Sequence, residues 1–252
     1  MKKQLCALLL ALVPFAALGA VQLDKMNPDI HDKASLQNGM KLYVNYCMGC
    51  HSLEYQRFSR AAEDLGIPQE LVEENLIFDE SLAFNDQMHS AMEAADGEAW
   101  FGVAPPELSV TARLRGTDWI YTYLRSFYRD PSTATGVDNL VFPLAAMPNV
   151  LEPLQGVQEK VCAPSDTPIP GAEIDPLTGK YQSCDTLQIT QPGKMEPAEF
   201  DEAVYDLTNF LAYVGEPSKL KAQALAPKVL IFIFIFGVIA YFLKREYWRD
   251  VH

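Results

Sequence analysis

Residues 47–51 constrain this chain more than any other segment, because they combine two cysteines and a histidine at a fixed spacing. Cys47 and Cys50 lie three positions apart and His51 follows directly, which gives a CxxCH run. Two thiols at this spacing can each add to one vinyl group of a porphyrin, and the adjacent imidazole then lies at the iron as an axial ligand. The run predicts one covalent c-type haem held by these three residues.

A zinc site and a redox dithiol are the other structures that use closely spaced cysteines. Structural zinc needs four ligands, usually as two close pairs, and Cys162 and Cys184 have no Cys or His beside them to form a second pair. A thioredoxin-like dithiol is typical of a βαβ unit, whereas the residues before Cys47 have helical spacing. Haem attachment accounts for the run better than either alternative.

The segment before the motif predicts a helix that ends at the haem. Gly39 lies one helical turn before Tyr43, a spacing that lets another backbone approach closely. Ser35 is the predicted N-cap. The apolar stripe of this helix consists of Leu36, Met40, Tyr43, Val44 and Cys47.

The first twenty residues have the composition of a secretory signal peptide. Lys2 and Lys3 precede an apolar run, and the small residues Gly19 and Ala20 end it. We therefore predict that residues 1–20 are removed and that the mature chain begins outside the cytoplasm.

An apolar stretch near the carboxyl end predicts one transmembrane helix over residues 223–243. At about 1.5 Å per residue its apolar part spans about 28 Å, close to the hydrocarbon core of a bilayer. A buried core helix is the alternative, but basic and aromatic residues flank the stretch as they do membrane spans. The prediction is a periplasmic haem domain over 21–222 and a cytoplasmic tail over 244–252, in a bacterial cytoplasmic membrane.

The charge of the chain is strongly negative and unevenly distributed. The formal net charge is −13, which makes nucleic acid an unlikely partner. Residues 54–98 contain twelve carboxylates but only Arg57 and Arg60 as bases. This acidic segment is either a solvated surface or an electrostatic guide for a basic partner, and the sequence does not separate the two.

An electron-transfer haem usually has a six-coordinate iron, so the chain should supply a second axial ligand. Met147 is the preferred candidate, because Pro143 and Pro148 stiffen its loop where no helix can continue. A thioether opposite an imidazole favours ferrous iron and raises the reduction potential. His89 or an open position is the alternative. His252 is excluded because it would lie across the membrane, and the less suitable candidates are His31, Met88, Met92 and Met195.

Five stretches, taken in chain order, resemble the cytochrome c1 family, the haem subunits of cytochrome bc1 complexes. They are GMKLYVNYCMGCHSL at 39–53, PPELS at 105–109, ARLRGTDWI at 112–120, FPLAAMP at 142–148 and DLTNFLAYVGEP at 206–217. CxxCH alone would indicate only a c-type cytochrome. The ordered set, followed by a single carboxy-terminal anchor, is specific to this family.

The resemblance implies a role for several site residues. Cys47 and Cys50 would carry the thioethers, and His51 and Met147 would ligate the iron. Arg115 would lie near a haem propionate, where its planar fork can pair a carboxylate bidentately, although a surface charge is the alternative. Pro106, with Pro105 before it, would shape the loop along the haem edge.

The resemblance also implies a fold. We expect a mainly α, cytochrome c-like haem domain with loop insertions and one C-terminal transmembrane helix. Helical spacing over 200–214 predicts the last globular helix, which in the family crosses the first helix near the haem.

Residues 152–195 depart from the mitochondrial pattern as a polar, proline-rich insertion that contains Cys162 and Cys184. In an exported protein these two cysteines are expected to form a disulfide, which contributes about 3 kcal/mol in the chain-entropy model. Two free thiols are the alternative.

The implied function is that of a one-electron carrier between a Rieske iron-sulfur protein and a soluble cytochrome c. It would act with cytochrome b in a dimeric quinol:cytochrome c oxidoreductase and would not be an enzyme alone. A tethered cytochrome of another oxidase or reductase is one alternative. A haem enzyme or gas sensor with an open iron position is the other.

Overall fold

The computed structural model describes residues 22–165 and 173–250, so the predicted signal peptide lies outside the described residues. The helices are α1 (Lys33–Tyr46), α2 (Phe58–Leu65), α3 (Gln69–Asn75), α4 (Ala94–Phe101), α5 (Thr111–Arg115), α6 (Thr117–Arg125), α7 (Glu152–Gln155), α8 (Pro197–Gly215) and α9 (Lys219–Tyr247). The strands are β1 (Leu53–Arg57), β2 (Gln87–Met88), β3 (Phe127–Arg129), β4 (Val137–Asn139), β5 (Gly156–Ser165), β6 (Glu173–Ile174) and β7 (Tyr181–Pro192). The predicted mainly helical fold with one C-terminal apolar helix is confirmed.

The helix before the CxxCH run starts earlier than the sequence predicts. Asp32 is the N-cap of α1, and its carboxylate accepts hydrogen bonds from the backbone N–H groups of Ala34 and Ser35. The prediction of Ser35 as the cap is wrong, because an Asp caps a helix as well as a Ser does. Ser35 is instead buried inside α1, where its hydroxyl accepts a hydrogen bond from Asn209 of α8 at 3.0 Å.

The crossing of α1 and α8 forms the centre of the core. A Cβ on Gly39 would lie 2.1 Å from the Asp206 carbonyl oxygen and 2.6 Å from the Phe210 Cβ, so only glycine fits there. The predicted close backbone approach at Gly39 is therefore confirmed. The predicted apolar stripe of α8 is also buried; it consists of Phe200, Val204, Leu207, Leu211 and Val214.

The acidic segment forms structure around this crossing. It contains α2, α3 and the two-stranded pairing of β1 with β2. Asp64 of α2 is almost buried, pairs with Arg60, and accepts a hydrogen bond from the Tyr213 hydroxyl at 2.9 Å. One carboxylate of the acidic segment is thus part of the core packing and not of a solvated surface.

A second, smaller hydrophobic cluster lies beside the antiparallel pair β3–β4. Its buried members are Phe127, Val137 and Ala145, and Tyr123 and Met147 pack against both this cluster and the main core. The loop that carries Met147 is therefore joined to the domain by side-chain packing.

Residues 152–195 were predicted to be a loop insertion, but they contain regular secondary structure. It forms α7 and a three-stranded antiparallel sheet in the order β5-β7-β6. Val157 and Gln158 of β5 are both buried, and residues 188–192 of β7 are all exposed, so neither strand shows the apolar alternation that predicts a half-buried strand.

The helix α9 contains the predicted membrane span. It is 29 residues long with a mean hydropathy of 2.3 in its most apolar window, and it is the one helix of the described segments long and apolar enough to cross a bilayer. Its apolar side chains are exposed, as a lipid-facing helix requires.

Candidate haem site

The end of α1 positions the two cysteines of the CxxCH run. Cys47 is the C-cap of α1, and its backbone N–H donates to the Tyr43 carbonyl at 2.8 Å. The chain then turns, because the N–H groups of Cys50 and His51 donate to the Cys47 carbonyl at 3.1 Å and 2.9 Å. This turn keeps all three motif residues around one carbonyl group.

Both motif cysteines are free thiols. Burial, and then the nearby Cys50, raises the pKa of the Cys47 thiol to about 12. Burial also raises the pKa of the Cys50 thiol. Near neutral pH both side chains therefore carry their protons, in the form that adds across a vinyl group to give a thioether.

The imidazole of His51 has one nitrogen paired and the other available. Its Nδ1 lies 2.7 Å from the Pro106 carbonyl oxygen, and a carbonyl only accepts, so Nδ1 carries the proton. In the neutral ring Nε2 then keeps its lone pair, the arrangement found in metal-ligating histidines. Burial lowers the pKa of His51, although the hydrogen bond to Pro106 opposes this shift.

Two further contacts fix the backbone around His51. The Tyr43 hydroxyl donates to the His51 carbonyl at 2.5 Å. The segment that carries Pro106 is held to the residue between the motif and β1, since the Leu108 N–H donates to the Ser52 carbonyl at 3.0 Å. The Pro106 carbonyl therefore selects the tautomer of His51.

Met147 is half-buried, and its sulfur is contacted by one hydroxyl group. The Tyr123 hydroxyl donates to the Met147 Sδ at 3.5 Å. Burial, and then the nearby Asp138, raises the pKa of Tyr123 to about 12, so this hydroxyl stays protonated at neutral pH. The contact makes Tyr123 a positioning group for the thioether.

Aromatic packing and one amide hold Tyr123 and the methionine loop in place. The Tyr123 ring stacks on Trp119 with centroids 4.9 Å apart, and it meets the edge of Phe127 at 5.0 Å. The Asn139 side chain donates to the Tyr123 carbonyl at 2.8 Å and accepts from the Val141 N–H at 2.8 Å. Asn139 thus connects α6 to the loop that leads to Met147.

The other ligand candidates have different surroundings. His31 lies 2.7 Å from the Gln223 Oε1 at the start of α9, and exposed His89 lies 3.1 Å from its neighbour Gln87. Met88 is fully buried in β2, opposite Leu53. His252 lies outside the described residues.

Arg115 lies on aromatic rings and is exposed. Its guanidinium is 5.1 Å from the Trp119 ring centroid and 6.0 Å from that of Phe142. Within the described residues it forms no ion pair, so its charge is available to a carboxylate such as a propionate. The stack Arg115, Trp119, Tyr123 connects this charge to the hydroxyl beside Met147.

The insertion cysteines lie on paired strands. Cys162 is in β5 and Cys184 is in β7, between the paired positions Val161↔Thr186 and Ala163↔Ser183. The side chain of Cys184 lies outside the described part of the structure, and the disulfide stays a prediction.

The residues present fit a c-type haem. Two protonated thiols, an imidazole with a free Nε2 and a half-buried thioether are the donor set that covalent attachment and two axial bonds need. In contrast, no cluster of three or more His, Cys, Asp or Glu residues suited to a bare metal ion occurs in residues 22–165 and 173–250.

Sequence reasoning missed one residue of this site, Tyr123, and it did not predict that the carbonyl of Pro106 would contact the His51 ring. Trp119 and Tyr123 lie four positions apart on a helix, so their aromatic pairing was a detectable signal. No sequence pattern indicates which backbone carbonyl a histidine will contact.

The chain is similar to proteins of one family along its whole length. The family model described as the Cytochrome C1 family matches residues 25–157. Cytochrome c1 of Allochromatium vinosum is 43% identical over 255 residues, covering 100% of each chain.

Two further relatives carry different names. A protein of Nitrosomonas europaea named ammonia monooxygenase gamma subunit is 43% identical over 251 residues, covering 98% of this chain and 97% of its own length. A protein of Bradyrhizobium diazoefficiens named cytochrome b/c1 is 26% identical over 254 residues, covering 88% of this chain and 34% of its own length.

Proposed function

Because the chain belongs to the cytochrome c1 family, we propose that it takes single electrons from a Rieske iron-sulfur protein and passes them to a soluble cytochrome c. Membership supports a c-type electron-transfer role in a bc1-like complex, with haem c as cofactor. The haem supplies a one-electron ferric/ferrous couple when bound. The chain would carry one haem, covalently attached, and would not be an enzyme by itself.

The observation that carries this proposal is the state of His51. Its Nδ1–H is held by the Pro106 carbonyl at 2.7 Å, so Nε2 is directed to ligation and not to proton transfer. Cys47 and Cys50 would hold the haem through thioethers, and His51 and Met147 would ligate its iron. Tyr123 keeps the thioether oriented, and Arg115 offers its charge to a propionate.

We place the haem domain, residues 21–222, in the periplasm of a bacterium. The signal peptide over 1–20 would export it, the transmembrane helix over 223–243 would retain it, and the basic tail over 244–252 would stay cytoplasmic. The apolar, exposed α9 supports this arrangement. Protease added to intact spheroplasts should remove the haem domain and leave a carboxy-terminal epitope protected; cleavage of the epitope would contradict the orientation.

The proposed partners are cytochrome b and the Rieske protein, in a dimeric complex. The test is purification of the full chain in mild detergent, followed by identification of the proteins that accompany it. Recovery of both partners with quinol-dependent reduction of added cytochrome c would support the proposal. Their absence from a preparation with an intact haem spectrum would contradict it.

A second candidate function is that of a tethered cytochrome serving another oxidoreductase. The relative named ammonia monooxygenase gamma subunit, as similar as the cytochrome c1 of Allochromatium vinosum, is the observation in its favour. The same purification separates the two, because this candidate predicts a different oxidoreductase in place of cytochrome b and the Rieske protein.

The acidic segment, residues 54–98, is the proposed guide for a basic electron acceptor. Several of its carboxylates are exposed, among them Glu70, Glu74 and Glu80. A screened attraction of this kind predicts that the bimolecular electron-transfer rate falls steeply with ionic strength. A rate that does not depend on salt would assign the segment to solvation alone.

The disulfide between Cys162 and Cys184 is proposed as a covalent link across the insertion. Antiparallel pairing of β5 and β7 near both positions supports it. Alkylation followed by mass measurement should show two more modified cysteines after reduction than before. Two reactive thiols without reductant would contradict the link.

A further inference from the structure

A cleft lies where the globular domain meets the first turns of α9. Its volume is about 250 Å³, and it is formed by residues that do not belong to the candidate haem site. Four elements contribute: the segment before α1 gives Asp29 and His31, α5 gives Arg113, the end of α8 gives Glu216, and α9 gives Lys219 and Gln223. The volume is below the usual range of about 300–1,000 Å³ for ligand pockets, and it suits a headgroup better than a cofactor.

Hydrogen bonds and one small residue fix the walls of the cleft. The Asn209 side chain donates to the Asp29 carbonyl at 2.8 Å, and His31 Nε2 lies 2.7 Å from the Gln223 Oε1. A Cβ on Gly215 would lie 3.2 Å from the Arg113 Cγ, so the glycine provides space for the arginine stem. The segment before α1, α5, α8 and α9 are thereby joined around the opening.

The cleft presents both signs of charge. Arg113 and Lys219 form no ion pair in the part of the chain that the structure describes, and both are exposed. Asp29 and Glu216 are the acidic residues of the same lining, and the Asp29 Oδ1 also accepts a hydrogen bond from the His31 backbone N–H at 2.9 Å. A molecule that carries an anionic and a cationic group together would satisfy both pairs, whereas a simple anion would meet the carboxylates unpaired.

The position of the cleft along α9 matches the depth of lipid headgroups. Leu225, where the apolar stretch begins, lies six positions after Lys219, which is about 9 Å of helix. The headgroup layer on each side of the hydrocarbon core is of similar thickness, about 5–8 Å. In addition, Pro227 has no N–H to donate to the Gln223 carbonyl, which leaves that acceptor for another donor.

We propose that this cleft binds the zwitterionic phosphoethanolamine headgroup of a membrane lipid. The phosphate pairs with Arg113 and Lys219, and the primary ammonium donates to the carboxylates of Asp29 and Glu216. The acyl chains then lie along the exposed apolar side chains of α9. This inference rests on the proposed passage of α9 through the membrane.

The test uses the purified complex that contains the full chain, in nanodiscs of phosphatidylcholine doped with either phosphatidylethanolamine or phosphatidylglycerol. Lipids retained after mild delipidation are counted by native mass spectrometry. The test variant carries Arg113→Gln and Lys219→Gln together, which removes both positive charges with little loss of volume. Lys221→Gln is the matched control, because Lys221 is in the same turn of α9 and does not line the cleft.

The wild-type complex and the control should retain phosphatidylethanolamine in preference to both other lipids. The double variant should lose about tenfold or more of this retention, because even one charge-assisted hydrogen bond is worth about a factor of ten. Soluble phosphoethanolamine should bind at least about tenfold more weakly than the lipid, since it lacks the acyl chains.

Four results would overturn the proposal. In the first, the double variant retains as much phosphatidylethanolamine as the wild type; in the second, Lys221→Gln loses as much of it as the double variant. In the third, the wild type retains phosphatidylglycerol as well as phosphatidylethanolamine. In the fourth, soluble phosphoethanolamine binds as tightly as the lipid. The haem spectrum and the cytochrome c reduction rate are measured on the same samples. A failure of the electron-transfer role is therefore distinguished from a failure of the lipid site.

Discussion

The His51 and Met147 sides of the candidate site are stabilised in different ways. His51 follows a helix that crosses α8 with direct backbone contact at Gly39, and Tyr43 and Pro106 hold its backbone and ring. Met147 lies on a loop whose order comes from side chains, chiefly Tyr123 and Asn139. The position of His51 thus depends on the fold itself, whereas that of Met147 can be perturbed without unfolding the domain.

The largest expected effect is on the His51 side, from Gly39→Ala. The new methyl group would lie 2.1 Å from the Asp206 carbonyl oxygen, so α1 and α8 must separate. We expect a loss of about 3 kcal/mol or more in the free energy of unfolding, measured by denaturant titration.

Gly49→Ala is the control for this change, because a Cβ at Gly49 would have no atom within 4 Å. It should change the stability by less than about 0.5 kcal/mol. If the two variants were equally stable, the close packing of α1 on α8 would not be what stabilises the part of the fold that positions His51.

The next effect is on the Met147 side, from Met147→Ala. Removal of the thioether should abolish the sulfur-to-iron charge-transfer absorption, allow carbon monoxide to bind ferrous haem, and lower the reduction potential by on the order of 100 mV. The far-ultraviolet circular dichroism should stay unchanged, because the loop lies outside the helix crossing. An unaltered haem spectrum would show that another residue is the ligand.

Tyr123→Phe should have a smaller effect on the same ligand. A hydroxyl that donates to the Met147 sulfur withdraws electron density from it, so its loss should lower the reduction potential by tens of millivolts, on the scale of a weak hydrogen bond. The matched control is Tyr121→Phe, whose hydroxyl contacts the Asp201 carbonyl at 3.5 Å and not the sulfur. Equal shifts in both variants would reject a specific role for Tyr123.

The smallest expected effect concerns alkaline stability. The pKa of Tyr123 rises from 10.0 to about 12 on folding, so the folded chain binds more protons than the unfolded chain between these values. Stability that is fully present below pH 10 should therefore be lost as the pH rises toward 12. Between pH 10 and 12 the free energy of unfolding of Tyr123→Phe should fall by about 1–2 kcal/mol less than that of the wild type.

Other buried tyrosines titrate in both proteins, so only the difference between wild type and variant reports on Tyr123. Parallel stability curves from pH 10 to 12 would show that the Tyr123 hydroxyl is not held in its protonated form by burial.

The parts of the molecule that could be predicted are those governed by local patterns. The stripe ending at Cys47, the stripe of α8 and the apolar stretch in α9 each follow from the spacing of apolar residues along one segment. Gly39 was informative because a glycine inside a helix indicates that another backbone packs closely against that position.

The parts that could not be predicted depend on partners distant in sequence. The sheet of the insertion requires β5 to pair with β7 across residues that give no apolar alternation. His51 contacts a carbonyl 55 positions away, and Met147 contacts a hydroxyl 24 positions away. The error at Ser35 is instead local, because Asp32 lies three residues earlier and caps α1 as well as a serine would.

The link between α8 and α9 has a consequence for how electrons reach and leave the protein. Only residues 216–218 separate the helix that packs on α1 from the apolar helix, so the chain between Gly215 and Lys219 can extend at most about 14 Å. A domain on so short a stem has little room to swing between an electron donor and an acceptor. We expect the haem to stay at a nearly constant height above the bilayer. The electron donor and the electron acceptor must then move to and from the haem domain.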